Sequence, residues 1–263
     1  MTFDLLSAGA VNGALAASPG GVSTAMAAML GTPPAVLERM YAVRRRYDAV
    51  AVGTGTVVID DPTLTSHLAG GKVVGATGGA GASAGVGGVA GAAAGMGGVA
   101  GGGAVRVTLD RTGRIPRQAR IFDGSARTLV GVVAATPRPY LDFLAERGVE
   151  AVPCGEDRID LAAFAAALSD RGLKRVVVEG GGRLNRELLR LGLVNRIHLT
   201  LLPAALDSRA ANLFDGRGEP VRLQLLGCDR LGDYLFLEYQ VIGQGRGRDQ
   251  TNSTPSGCLV SSR

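Results

Sequence analysis

Short apolar runs alternate with helical patterns through the middle of this chain, and that alternation limits the fold more than any other feature. The stretches 105–109, 128–133, 149–153, 175–178 and 195–202 are rich in Val, Leu and Ile and bounded by turn residues, so they read as strands. Between them, 138–147, 161–169 and 183–191 carry apolar residues at helical spacing, and Gly148 and Gly192 end the first and last of these. Apolar strands separated by helices require a sheet that is covered on both faces. The flanks extend the pattern. Residues 2–11 and 49–52 read as strands, and 33–45 as a helix that opens on Pro33 and Pro34. Residues 221–228 and 234–241 read as an antiparallel closing pair. The expectation is a single α/β domain over 1–242, with a central, mostly parallel sheet.

Two stretches fall outside that pattern. Residues 70–103 are almost entirely Gly, Ala and Val. Such a segment loses much entropy on ordering and buries little, so it reads as a flexible insertion between two elements. Its Gly-x-Gly fragments are low complexity and not a dinucleotide fingerprint. Residues 243–263 read as a polar, disordered tail.

Composition narrows the function. The net charge is +5, carried almost wholly by scattered arginines, with Lys72 and Lys174 the only lysines. Aromatics are 4% and Trp is absent, which leaves few stacking platforms for nucleic acid. A surface of this kind suits small anionic substrates. Cys154, Cys228 and Cys258 are far apart, and His67 and His198 are isolated, so no metal site and no disulfide framework are expected. No apolar run reaches the ~20 residues of a membrane span. With no early positive charge before Arg39, a signal or transit peptide is not expected either, and a cytoplasmic location follows.

The chemistry concentrates at two glycine-rich strand ends. In "VVVEGGGRLNRELL", a buried strand runs through Glu179 into Gly180, Gly181 and Gly182 and then into a helix. Glycines at a helix N-terminus let the backbone cradle a phosphate, and they equally serve a tight strand-to-helix turn. In "GTGTVVIDDPTLT", Gly53, Thr54, Gly55 and Thr56 follow a buried strand, and Asp60 and Asp61 precede Pro62. This stretch reads as a turn-rich loop, and its place at a strand's carboxyl end is where ligands bind in open α/β sheets. Arg44 shares a helix stripe with Leu37, Met40 and Tyr41. An arginine there needs a partner, and a ligand phosphate is one. No nucleophile–base set appears, so an enzyme of this sequence would act by positioning two ligands.

Three segments, taken in order, resemble the pyrimidine reductases of riboflavin biosynthesis, a family similar in fold to dihydrofolate reductase. They are "VRRRYDAVAVGTGTVVIDDPTLTSH", "VRVTLDRTGRIPRQARIF" and "VVVEGGGRLNRELLRLGLVNRIHLTLLP". The stand-alone archaeal and fungal type is the nearer likeness, His67 included. The resemblance implies a dihydrofolate-reductase-like fold with helices on both faces, a homodimer, and NADPH (or NADH) as cofactor. It implies reduction of the ribosyl group of 2,5-diamino-6-ribosylamino-4(3H)-pyrimidinone 5′-phosphate to a ribityl chain. Gly53, Thr56, Asp60, Gly180, Gly181, Gly182, Arg183, Leu184 and Asn185 would then contact the cofactor. Arg44, Leu64, His67 and Glu179 would contact the substrate, with Glu179 beside the reacting sugar. The chain departs from the family's Ser/Thr-Leu-Asp-Gly signature, reading Ala10-Val11-Asn12-Gly13-Ala14 there, and it has Arg111 where a small polar residue is common. The first departure also motivates a second reading, a paralogue with another pyrimidine or pteridine-like substrate or with nucleotide binding alone.

Overall fold

Among the described residues, nine strands form one sheet in the order β5-β4-β3-β2-β6-β1-β7-β9-β8. In chain order the elements are β1 (Thr2–Ala10), α1 (Pro34–Arg44), β2 (Ala49–Val52), α2 (Thr54–Asp60), β3 (Val105–Leu109) and β4 (Thr128–Val132). They continue with α3 (Arg138–Glu146), β5 (Glu150–Pro153), α4 (Leu161–Asp170), β6 (Arg175–Val178), α5 (Gly182–Arg190), β7 (Val194–Leu202), β8 (Arg222–Leu231) and β9 (Tyr234–Ile242). The computed structural model describes residues 1–14, 31–64, 104–205, 212–215 and 219–242. His67, the Gly-rich stretch 70–103 and the tail 243–263 lie outside the described residues.

From β5 across to β7 every neighbouring pair is parallel, and the two pairings beyond β7, to β9 and then β8, are antiparallel. Residue alternation along the strands divides the interior into two cores. Phe3, Leu5, Ala51, Val107, Val176 and Val178 face α4 and α5 through Phe164, Leu168 and Leu188. Leu6, Val50, Val52, Val130 and Val177 face the other way, toward Val57 of α2 and Tyr140, Phe143 and Leu144 of α3. Helix α1 lies on this second face, where Val36 packs on Leu202 and Tyr234. Each fully buried side chain of this kind contributes roughly 1.5–3 kcal/mol, so burial on both faces dominates the stability.

Helix α2 corrects the expectation of a loop at 53–65. Thr, Gly, Val and Ile are weak helix formers, so local propensity speaks against a helix there. Tertiary contacts override it. Val57 is buried in the second core, and the Thr54 hydroxyl donates to the Leu109 carbonyl. The helix stops where Asp61 turns left-handed at φ 41°, and the Asp61 carboxylate accepts the Arg120 N–H at 2.7 Å. Strand β7, with its apolar run "IHLTLL", lies between β1 and β9, inside the sheet.

One buried charge ties the loop between β3 and β4 to the sheet. Arg106 is fully buried on the second face, yet all three of its nitrogens are used. Nε donates to the Thr128 hydroxyl at 3.0 Å, Nη1 to Asp123 Oδ1 at 2.8 Å, and Nη2 to the Ala126 carbonyl at 2.8 Å. Burial alone would raise the Asp123 carboxyl, but hydrogen bonds from Ser125 and the Arg106 guanidinium outweigh it and hold it below the usual range. Replacing Arg106 with Leu removes the guanidinium that Asp123 pairs with, together with its hydrogen bonds to the Ala126 and Arg120 carbonyls. The expected loss is about 3 kcal/mol, read as a lower urea midpoint at unchanged slope; a loss below about 1 kcal/mol would show that the guanidinium is replaceable.

Candidate active site

Strand β6 sits between β1 and β2, and its carboxyl end lies beside that of β2. Two backbone hydrogen bonds join these ends beyond the strands themselves. Glu179 N–H donates to the Ala51 carbonyl at 2.9 Å, and Gly53 N–H donates to the Gly180 carbonyl at 2.9 Å. The two glycine-rich stretches therefore form one structure. A β-carbon placed on Gly181 would stand 3.6 Å from the Thr56 hydroxyl, so Thr56 at the start of α2 borders the glycine turn.

The turn itself needs glycine. Gly180 has φ +107°, which side chains rarely adopt, and its bond to Gly181 is cis. Gly182 has no room for a side chain, because a β-carbon would meet the Asn212 carbonyl oxygen at 2.2 Å. Gly181 then caps α5, and no side chain caps that helix end. Its first N–H groups are thus available to an anion.

Residues 212–215 support the turn from outside, a contribution that no local pattern announced beyond the need for a third glycine. Asn185 is fully buried, and its Nδ2 donates to the Leu213 carbonyl at 3.0 Å. Its Oδ1 is buried with no partner among the described residues. Arg183 is exposed and pairs with Asp215 at 3.3 Å. Leu184 lies near Gly53. Asp60 is one helical turn beyond Thr56, at the last position of α2, and its carboxyl is raised because burial penalises the charge.

The other side of the site is an ion pair. Val176 and Val178 face the first core and Val177 the second, so Glu179 continues the alternation onto the second face. There its carboxylate receives two hydrogen bonds from Arg44, one from Nε and one from Nη2 at 2.5 Å. The side chains are 18% and 14% exposed, so a narrow polar edge stays open to a ligand. Burial works against the Arg44 charge, but Glu179 and then Tyr41 outweigh it and keep the guanidinium more firmly protonated than usual. Arg44 also stacks 4.8 Å from the Tyr41 ring centre. The partner that Arg44 demanded is therefore supplied by the protein itself.

The structure thus gathers Gly53, Thr56, Gly180, Gly181, Gly182, Leu184 and Asn185 at one junction, and Arg44 with Glu179 beside it. Leu64 is buried in the second core, the cluster that also holds Val57 and Val177, with a left-handed backbone, φ 51°. His67 lies outside the described residues.

Comparison with known proteins is consistent across sequence and structure. The family model of the RibD C-terminal domain matches residues 13–237. The 2,5-diamino-6-ribosylamino-4(3H)-pyrimidinone 5′-phosphate reductase of Methanothermobacter thermautotrophicus is 32% identical over 213 residues, covering 79% of this chain and 86% of the relative. The protein of the same name from Archaeoglobus fulgidus is 29% identical over 192 residues, covering 73% and 78%. In three dimensions, Acinetobacter baumannii RibD superposes with a TM-score of 0.67 at 22% identity, over 92% of this chain and 58% of that one. At that identity the likeness establishes the fold, an α/β reductase-domain architecture.

The glycine turn predicts an asymmetry between neighbouring glycines. Gly182→Ala forces the β-carbon into backbone and should cost about 1–3 kcal/mol or more, with loss of nucleotide binding. Gly53→Ala meets atoms no nearer than 3.8 Å, and should cost no more than about 1 kcal/mol. Chemical denaturation of both variants tests this, and equal losses would contradict it.

Proposed function

The chain belongs to the RibD C-terminal domain family, and from that premise we propose that it is an NADPH-dependent reductase of 2,5-diamino-6-ribosylamino-4(3H)-pyrimidinone 5′-phosphate in riboflavin biosynthesis. The observation that carries this reading is the crossing at Glu179–Gly182. The carboxylate goes to one face of the sheet with Arg44, and the chain then turns into α5 on the other face. Two ligands can therefore meet at one strand end without sharing the same contacts.

The residues present fit a dinucleotide. The Gly180–Gly182 turn and the uncapped N-terminus of α5 would take its phosphates, with Thr56 at their edge. The buried, unpaired Oδ1 of Asn185 is a polar atom at the base of that cradle. When bound, the cofactor would supply a hydride for C1′ of the ring-opened, imine-like ribosyl group; the C=N electron pair would pass to nitrogen, which takes a proton from solvent, leaving a ribityl chain. The Arg44–Glu179 pair would bind the polar substrate, its geometry fixed in advance by the two-point ion pair. Catalysis would rest on orientation, with no covalent intermediate on the chain. A cytoplasmic setting belongs to the same reading, as for an enzyme of a biosynthetic pathway.

A second reading has its own observation. Ala10 and Ala14 pack against each other in a tight turn, with Ala10 N–H donating to the Ala14 carbonyl at 2.9 Å. A paralogue that uses another pyrimidine or pteridine-like substrate, or that binds nucleotide without turnover, would fit a strand end built of such small apolar residues. NADPH oxidation measured with the deaminated and non-deaminated ribosylaminopyrimidine phosphates separates the readings. Turnover of either supports the reductase, and tight NADPH binding with no turnover of either favours the paralogue. Within an active enzyme, Glu179→Gln should lower kcat/KM for the pyrimidine by on the order of 100-fold, about 2.7 kcal/mol. NADPH affinity should stay nearly unchanged, and an equal loss of both would contradict the division between faces.

The same reading includes a homodimer, supported by the sheet's far edge. Among the described residues, strand β8 pairs only with β9, and Leu223, Leu225, Leu226 and Leu231 along it are exposed. A long apolar edge strand is a surface that pairs or aggregates. Light scattering should give twice the 26.8 kDa chain mass, and Leu225→Glu should shift the protein toward monomer.

A further inference from the structure

We propose that Arg111 reads the 2′-phosphate on the adenosine half of the cofactor and so sets a preference for NADPH over NADH. The inference rests on the reductase reading above. It starts from the order of the strands. The substrate side of the site belongs to Arg44 on α1, which packs over β7 and β9 through Val36. The phosphate cradle lies at the ends of β6 and β2. An extended dinucleotide whose reacting end meets the substrate must run its adenosine half the other way. In that direction the next strand is β3.

The carboxyl end of β3 carries Asp110 and Arg111, and the structure treats them in opposite ways. In dinucleotide sites a free carboxylate holds the 2′-hydroxyl of NAD, whereas a nearby guanidinium accommodates the 2′-phosphate of NADP. Asp110 is 1% exposed. Its Oδ1 accepts the N–H groups of Thr112 at 3.3 Å and Arg114 at 3.1 Å, and its Oδ2 accepts that of Ile115 at 2.8 Å. The carboxylate is spent on the turn and cannot reach a ribose. Arg111 is exposed. One nitrogen donates to the Asp157 carbonyl at 3.1 Å, and among the described residues no carboxylate pairs with it. Its backbone is anchored by the Thr136 hydroxyl, which donates to the Arg111 carbonyl at 2.9 Å. A planar fork of donors on a fixed mount suits a phosphomonoester dianion. Arg183, in the first turn of α5, is paired with Asp215.

The test uses the full chain and two soluble probes, adenosine 2′,5′-bisphosphate and 5′-AMP, alongside NADPH and NADH. Calorimetry on the wild type should show the bisphosphate binding more tightly than AMP by about tenfold or more, a charge-assisted recognition. Arg111→Ala should abolish that difference and weaken NADPH by a similar factor, leaving NADH within about twofold. Arg111→Lys, which keeps the charge without the fork, should restore part of it. A thermal melt checks that the variants remain folded, as an exposed side chain predicts. Equal effects of Arg111→Ala on NADPH and NADH, or no effect on either, would overturn the assignment while leaving the reductase reading intact. A wild type that binds neither dinucleotide would overturn both.

Discussion

The hydrogen bond from Gly53 N–H to the Gly180 carbonyl carries the pairing of β2 and β6 past the last residues of both strands, and the site depends on that extension. Parallel strands ordinarily splay apart at their carboxyl ends as each turns into its own helix. Here one more rung holds the two turns together, so that α2 and α5 begin side by side. Thr56 and Gly181 become neighbours as a result, although they stand 125 positions apart in the sequence. The crevice of an open α/β sheet forms where neighbouring connections part, and β6 lies between β1 and β2 at such a point.

Side-chain alternation then assigns the work. Strand period places Glu179 on the face that α1 covers, and the glycines immediately after it deliver the chain to the opposite face. A carboxylate beside a phosphate cradle looks like an electrostatic conflict in one dimension. In three dimensions the carboxylate is neutralised by Arg44, and the cradle's positive helix end is left for an anion. Arg106 plays a comparable part at the sheet's other side. Its charge is matched by Asp123 and by loop carbonyls, which fixes the segment leading into β4.

Much of this was legible in the residues. The parallel strands stood out because strands buried on both faces are continuous apolar runs, as in 105–109 and 175–178, and the glycines after Glu179 were visible as turn chemistry. Helix α2 was not, because its Thr, Gly and β-branched residues carry little helical preference and its stability comes from Val57 and the Thr54–Leu109 contact. The ion pair between Arg44 and Glu179 was half legible. The need of Arg44 for a partner could be read locally, but its meeting with Glu179 depends on how α1 packs on the sheet. The support from residues 212–215 had no local signature, since the atoms that wall Gly182 and hold Asn185 are main-chain oxygens that any sequence would present.

That last feature has a consequence for how the glycine turn is understood. The oxygen that forbids a side chain at Gly182 belongs to Asn212, and the carbonyl that holds Asn185 belongs to Leu213. The string "GGGRLN" is therefore only half of a lock whose other half is shape without sequence. Grafted into another strand–helix junction it would carry its glycines but not the wall they press against. The turn is not portable as a motif, and the same letters in an unrelated chain carry no promise of a nucleotide.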